Sequence, residues 1–260
     1  MRMGLFFSLK KGMLMRLRFY SFCIAVSSLS LQAQIVSGDD ILEKVDRAMN
    51  SKTRIVMSTM VIHGRRDSRT VQAQSWQRGT SDAYTEYLAP AREKGTKMLK
   101  LNDMLWTYSP STDRTIMISQ HMLRQSVMGS DLSYEDMMED PHLPNLYSAV
   151  TSPDDTVNGR ACWVLDLSAK KEDIAYYSRK VWVDKVRYII LREHLFAKSA
   201  KLLKTVDITE VMNVQNRWAV KSAVYKDVLK EGKGTEFNIL SIKFDDVIPD
   251  HIFTKASLRR

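Results

Sequence analysis

Two cysteines in 260 residues cannot make a disulfide framework. Cys23 lies in an N-terminal apolar stretch directly after Phe22, where lipoprotein acylation would want a small residue, so it is expected to be discarded with an export signal. Cys162 then stands alone, and an exported domain of this length must rely on its core rather than on cross-links. Long apolar runs are equally scarce. No segment beyond the N-terminus supplies the about 20 apolar residues that a membrane-spanning helix needs, so the mature chain is expected to be soluble. No Pro-, Gly- or Ser-rich linker, low-complexity block or fixed-period repeat divides the sequence, which points to a single domain over residues 34–260.

Catalytic and metal motifs are missing as well. His63, His121, His142, His194 and His251 fall in separate segments without a His-x-x-x-His or His/Cys pairing, so neither a metal nor a cofactor is expected. There is no Gly-x-Ser-x-Gly elbow and no Gly-x-x-x-x-Gly-Lys-Ser/Thr phosphate loop, and the stretch from Glu231 to Glu236 reads as a hairpin turn. Asp154-Asp155, Asp245-Asp246 and Glu135-Asp136 are paired carboxylates in turn or cap contexts, where such pairs are solvated. The chain therefore reads as a non-enzymatic protein.

Charge excludes a further class. Of 39 basic residues, Arg2, Lys10, Lys11, Arg16 and Arg18 lie at the N-terminus, leaving 34 against 30 acids in the remainder. The other bases are interspersed with acids, so nucleic acid is not an expected partner. The N-terminal bases precede the apolar stretch FYSFCIAVSSLSL and the small residue Ala33, the pattern of a cleaved secretory signal over residues 1–33. The basic lead is long, and Met13 or Met15 would begin a more ordinary signal.

Behind the signal, Ile41, Leu42, Val45, Ala48 and Met49 share one face of a helix of about three turns, capped by Ser37 or Asp39. From Arg54 onward short strand patterns follow one another: IVMSTMVI, TVQAQSW, AYTEYLA, TKMLKL, MLWTYS, RTIMIS and HMLRQSVM. A helix near Ser133 to Glu139 and a proline-marked segment, DPHLPNLYSAV, separate these from a second series: ACWVLDLS, YYSRKVWV, YIILREHLFA, LLKTVDITEV, RWAVKSAVY and TEFNILSIKF. The turns between strands are short, so neighbours are antiparallel. About a dozen strands and two or three helices predict an α+β fold with a strongly curved antiparallel sheet, because a sheet of that many strands curls toward a barrel. Between Leu88 and Asp140 both strand faces carry apolar residues, so each face needs a cover.

The order Pro90, Lys94-Gly95, Leu99, Leu105-Trp106-Thr107-Tyr108-Ser109-Pro110, Arg114, Gly129-Ser130-Asp131 and Ser133-Tyr134-Glu135-Asp136 resembles the outer-membrane lipoprotein-sorting family of LolA-like periplasmic carriers. Later pieces agree with the longer branch of that family: Tyr177 before Val181-Trp182-Val183-Asp184, Lys201-Leu202-Leu203-Lys204-Thr205, and Ile248-Pro249-Asp250 with Phe253-Thr254 and Leu258. The resemblance implies an incomplete β-barrel whose concave side is covered by helices, an apolar cavity for acyl chains, and a periplasmic location. It also implies an inner-membrane transporter and an outer-membrane acceptor as partners of a monomeric carrier.

Met98, Met104, Trp106, Tyr108, Met117 and Trp182 are the candidate lining of such a cavity, since flexible thioethers and large rings suit irregular acyl chains. The same residues equally suit a core, and alternation alone leaves open which face of Met104, Trp106 and Tyr108 meets cargo. Gly129 permits a sharp turn, Ser130 or Asp131 accepts hydrogen bonds from exposed backbone N–H groups, and Ser133 with Asp136 makes a capping box. Gly129 and Asp131 are thereby candidate hinge residues of a lid carrying Tyr134, Met137 and Met138. The arginine that ties the lid in smaller carriers has no recognisable counterpart in Arg92 or Arg114. The expected function is carriage of lipoprotein acyl chains or related lipids; the alternatives are an envelope sensor of such lipids and, behind both, an envelope lipid hydrolase.

Overall fold

Strand alternation and short turns build a single continuous sheet. The computed structural model describes residues 36–64 and 67–259, and the signal assigned to residues 1–33 lies outside them. Helix α1 (Gly38–Met49) leads into β1 (Thr53–His63), β2 (Ser68–Arg78), β3 (Asp82–Ala89), β4 (Lys97–Leu101), β5 (Met104–Ser109) and β6 (Arg114–Ile118). A crossover segment, residues 119–146, holds α2 (Tyr134–Met138) and α3 (Leu143–Leu146). The second meander comprises β7 (Tyr147–Val157), β8 (Arg160–Ala169), β9 (Ser178–Asp184), β10 (Ile190–Phe196), β11 (Leu202–Val214), β12 (Arg217–Asp227) and β13 (Thr235–Phe244).

The thirteen strands are ordered β6-β5-β4-β3-β2-β1-β13-β12-β11-β10-β9-β8-β7, so the two meanders meet where β1 pairs with β13. Every pairing is antiparallel, and β6 and β7 are the free edges. Curvature follows from which side chains meet. Lys100 on β4 donates to the Met138 carbonyl at 3.1 Å, while Arg179 on β9 pairs with the adjacent Glu139. Those strands are eight spacings apart in the sheet, about 38 Å if it were flat. Side chains that far apart cannot reach consecutive residues, so the sheet curls around the crossover segment. This is the α+β incomplete barrel that the sequence predicts.

Each face has its own cover. Across β1–β6 one row runs Ile55, Trp76, Tyr84, Leu99, Trp106, Met117 on the convex side. Its inner members pack beneath Ile248, Phe253 and Leu258 of the C-terminal turns. On the concave side Met60, Ile62, Val71, Tyr87, Met98, Leu105 and Ile118 pack against Val127, Leu132, Tyr134, Met137 and Met138 of the crossover segment. Helix α1 covers the concave side of the other half through Ile41, Leu42 and Val45, against Leu165, Leu167, Val181 and Val183. Ser37 is its cap, accepting from Asp40 N. Gly38 is required there, because a Cβ would meet the Ala149 carbonyl at 2.5 Å. Asp39 accepts from Ala149 N at 2.7 Å, so the helix also seals part of edge strand β7.

Two segments depart from expectation. His121 to Met128 reads as a strand but forms two 3-10 turns, because the chain must leave β6 here to reach the opposite edge; Met128 turns it at φ 53°. The proline-marked segment DPHLPNLYSAV instead contains α3 and the start of an eleven-residue strand, β7. Pro153 is tolerated because β7 is an edge and its register shifts between Ser152 and Asp155.

Candidate functional site

The concave face, α1 and the crossover segment enclose a cavity of about 490 Å³, within the range of small-molecule sites. Its wall is mixed: Met60, Val71 and Ala73 from β1 and β2, Tyr87 from β3, and Val127, Leu132 and Met137 opposite are apolar, while Asp136, Glu139, Arg179 and Glu193 place charged groups on it. Met49, Gly79 and Pro141 also border it and are exposed, whereas Val71, Tyr87 and Val127 are buried. The cavity therefore opens where α1 ends beside the β2–β3 turn.

Basic residues of the sheet and of the β12–β13 turn hold the cover in place. Arg69 donates to the Met128 carbonyl and to Glu93 at 3.3 Å, Lys230 donates to Ser126 and to the Ser130 carbonyl, and Lys204 pairs with Asp136. Arg179, with 4% side-chain exposure, bridges Glu139 of the crossover segment and Glu193 of β10, the latter at 3.2 Å. Its guanidinium lies 4.9 Å from the Tyr147 ring and 5.3 Å from that of Tyr176. Burial alone would push this guanidinium down, but Glu139 and Glu193 together hold it above its ordinary value. Burial would likewise raise Asp136; Lys204 and hydrogen bonds from Ser133 and Tyr176 outweigh it and hold the carboxyl low. Glu193 stays raised, since its burial exceeds the pull of Arg179.

The expected turn chemistry is present in detail. Ser133 and Asp136 form a reciprocal capping box. Ser130 Oγ accepts from Leu132 N, and Asp131 accepts from Asp227 N at 2.9 Å and from Thr235 Oγ1 at 2.8 Å. Gly129 has φ 72°, and a Cβ there would lie 3.4 Å from Arg69 Nη2. Tyr134, Met137 and Met138 face the concave wall, and Met137 lines the cavity.

The six candidate lining residues are divided by the sheet. Met98 is on the concave side, buried in the cluster under the crossover segment, where the Tyr87 hydroxyl meets its sulfur at 3.4 Å. Trp106 and Tyr108 are on the convex side in the cluster under the C-terminal turns, with Lys255 Nζ 4.3 Å from the Trp106 ring centre. Met104 and Met117 share that face and are 47% and 53% exposed. Trp182 alternates with the inward-facing Val181 and Val183 and points outward, donating to Asp155 at 2.9 Å. None of the six borders the cavity, although Met98 lies on the face that does. Arg92 and Arg114 are exposed.

Arg179, Lys204, Glu193, Lys100 and Arg54 are not among the site residues expected from the sequence. A parity signal was there: Arg179 shares its face with Val181 and Val183, and Lys204 with Val206 and Ile208, so each is a charge at an apolar position of its strand.

A family model described as "Uncharacterized protein" matches residues 79–260. No curated protein matches. Three solved structures share the fold. A Vibrio parahaemolyticus domain assigned to outer membrane lipoprotein sorting is 22% identical, with TM-score 0.75 over 86% of this chain and 98% of that one. A DUF1329 family protein of Desulfovibrio piger is 23% identical, with TM-score 0.78 over 85% and 97%. The LolA superfamily protein NE2245 of Nitrosomonas europaea is 21% identical, with TM-score 0.71 over 85% and 99%.

Proposed function

The chain belongs to the family whose model spans residues 79–260 and has the LolA-like fold, and from that premise we propose that it is a periplasmic, non-enzymatic carrier that shields acyl chains of lipoproteins or related lipids and delivers them toward the outer membrane. The observation that carries this reading is the cavity of about 490 Å³ between the concave face, with its apolar patch of Met60, Val71, Ala73 and Tyr87, and a separate covering segment. Each buried methylene is worth about 0.8 kcal/mol, so a sixteen-carbon chain resists water by roughly 12 kcal/mol. A carrier across an aqueous gap must hide that surface and still release it. A cover fixed largely by ion pairs and hydrogen bonds from Arg69, Lys100, Arg179, Lys204 and Lys230 suits release, because these contacts can exchange for water or ligand without tearing the sheet.

In this reading the signal over residues 1–33 is removed, residues 34–260 act as one domain, an inner-membrane transporter supplies the energy for loading, and an outer-membrane acceptor takes the cargo. Gly129 and Asp131 anchor the cover that carries Tyr134, Met137 and Met138. Native mass spectrometry of the protein purified from the periplasm tests the proposal: bound lipid masses are expected, and consistently empty protein would sink it. Depletion separates carriage from sensing. Loss of a carrier strands its cargo in the inner membrane, whereas loss of a sensor changes only a regulated response.

A further inference from the structure

We infer that the cavity is built for an amphiphile with an anionic head, a carboxylate or a phosphate, held at the mouth between Arg54 and Lys100 while its single-chain tail runs inward past Met60, Val71 and Tyr87. The inference rests on the lipid-binding reading and narrows its ligand. Arg54, Gln77, Ala83 and Lys100 form one register row across β1 to β4, and Arg54, Ala83 and Lys100 all border the cavity. Three strand spacings, about 14 Å, separate the two bases at the backbone. The sheet is concave on this side, and both side chains border the cavity. Both flank the Gly79–Thr80 turn: Lys100 Nζ donates to the Thr80 carbonyl at 3.1 Å, and Arg54 borders a small recess with Gly79 and Thr80.

Among the described residues neither base has a carboxylate within ion-pair distance. Lys100 is 8% exposed and donates only to the carbonyls of Thr80 and Met138. Arg54 donates from Nε to Ser51 Oγ at 3.0 Å. Burial lowers both, and Arg217 adds repulsion at Arg54, so each would gain from a counter-charge. Asp140, Asp103, Asp82 and Glu139 attract Lys100 from beyond ion-pair distance without offsetting its burial, and most of the nearby acids are bound elsewhere. Asp82 is bound by Arg78, Asp46 by His142, and Glu139 by Arg179, while Asp140 accepts from His142 N and Asn145 Nδ2. A cation drawn out of water without a counter-charge in ion-pair contact is costly, and an anionic head would supply one to two cations at once. The ester and amide linkages of an acylated protein carry no such charge, so a free fatty acid or a phosphate ester ranks ahead of them.

The test uses the full mature chain and two fluorescent probes that differ only in head charge, cis-parinaric acid and its methyl ester, titrated near neutral pH. The acid is expected to bind about tenfold more tightly than the ester. Arg54→Gln should weaken the acid by about three- to tenfold and leave the ester unchanged, and Lys100→Gln, which also frees the Met138 carbonyl of the cover, should weaken the acid by more than the ester. Equal binding of acid and ester, or equal weakening of both by the variants, would overturn the inference while leaving the cavity a lipid site. Failure of both probes to bind would instead overturn the lipid-binding reading. Displacement of the acid by inorganic phosphate or acetate alone would mark a small-anion site and also overturn the amphiphile. If Lys100→Gln does not fold, the wild-type acid-to-ester ratio and Arg54→Gln still decide.

Discussion

Arg179 sits where a strand in this sheet would ordinarily place an aliphatic side chain, and two carboxylates and two rings surround it. Removing the cation leaves Glu139 and Glu193 buried against each other. Arg179→Met is therefore expected to cost about 3–5 kcal/mol in urea unfolding. Glu193→Gln should cost less than half as much, because burial already disfavours its ionised form and Arg179 keeps Glu139. Asp136 gives a pH signature. Its folded carboxyl lies below its ordinary 3.8 through Lys204 and its hydrogen bonds, despite burial. The stability it lends is complete above that pH and is lost as pH falls through the lower folded value. Between about pH 5 and pH 3 the urea midpoint should fall less steeply in Asp136→Asn than in the wild type; parallel slopes would refute this assignment. At this scale the charged residues were legible only as parity violations. Sequence gives no reason to prefer an inward charge, since it becomes tolerable only when the crossover segment supplies its partner from some 40 positions away.

The elements were easier to read than their roles. Strands β1–β6 and β8–β13 follow from alternation, and α2 from its Ser133–Asp136 box. His121 to Met128 alternates as well, but edge geometry overrides the pattern: a seventh strand beside β6 would prevent the chain from crossing to β7. Gly129 is the pivot of that crossing. Gly129→Ala places a side chain at φ 72° and should destabilise by about 1–2 kcal/mol in thermal or urea unfolding; an unchanged stability would show that the turn is not constrained. Trp106 probes the other face. Buried under Phe253 and Leu258, it should cost about 3–5 kcal/mol as Trp106→Ala while lipid affinity of the folded fraction stays unchanged. A selective loss of lipid binding with normal stability would assign it to the cavity after all.

The described residues form one sheet curled so far that each face needs its own cover. The fold class was legible because a dozen alternating segments with short turns leave few other arrangements, and the apolar character of both faces signalled two covers. What alternation could not supply was which cover lies on which face. The C-terminal turns, carrying Ile248, Phe253 and Leu258, satisfy the convex row and thereby free the concave face to hold a cavity. This division is the central claim, and a photoreactive acyl probe loaded into the intact mature protein and mapped by peptide sequencing tests it most directly. Labelling is expected at concave residues such as Met60, Val71, Tyr87 and Met137. Labelling concentrated on Trp106, Tyr108, Met117 or Trp182 would contradict it.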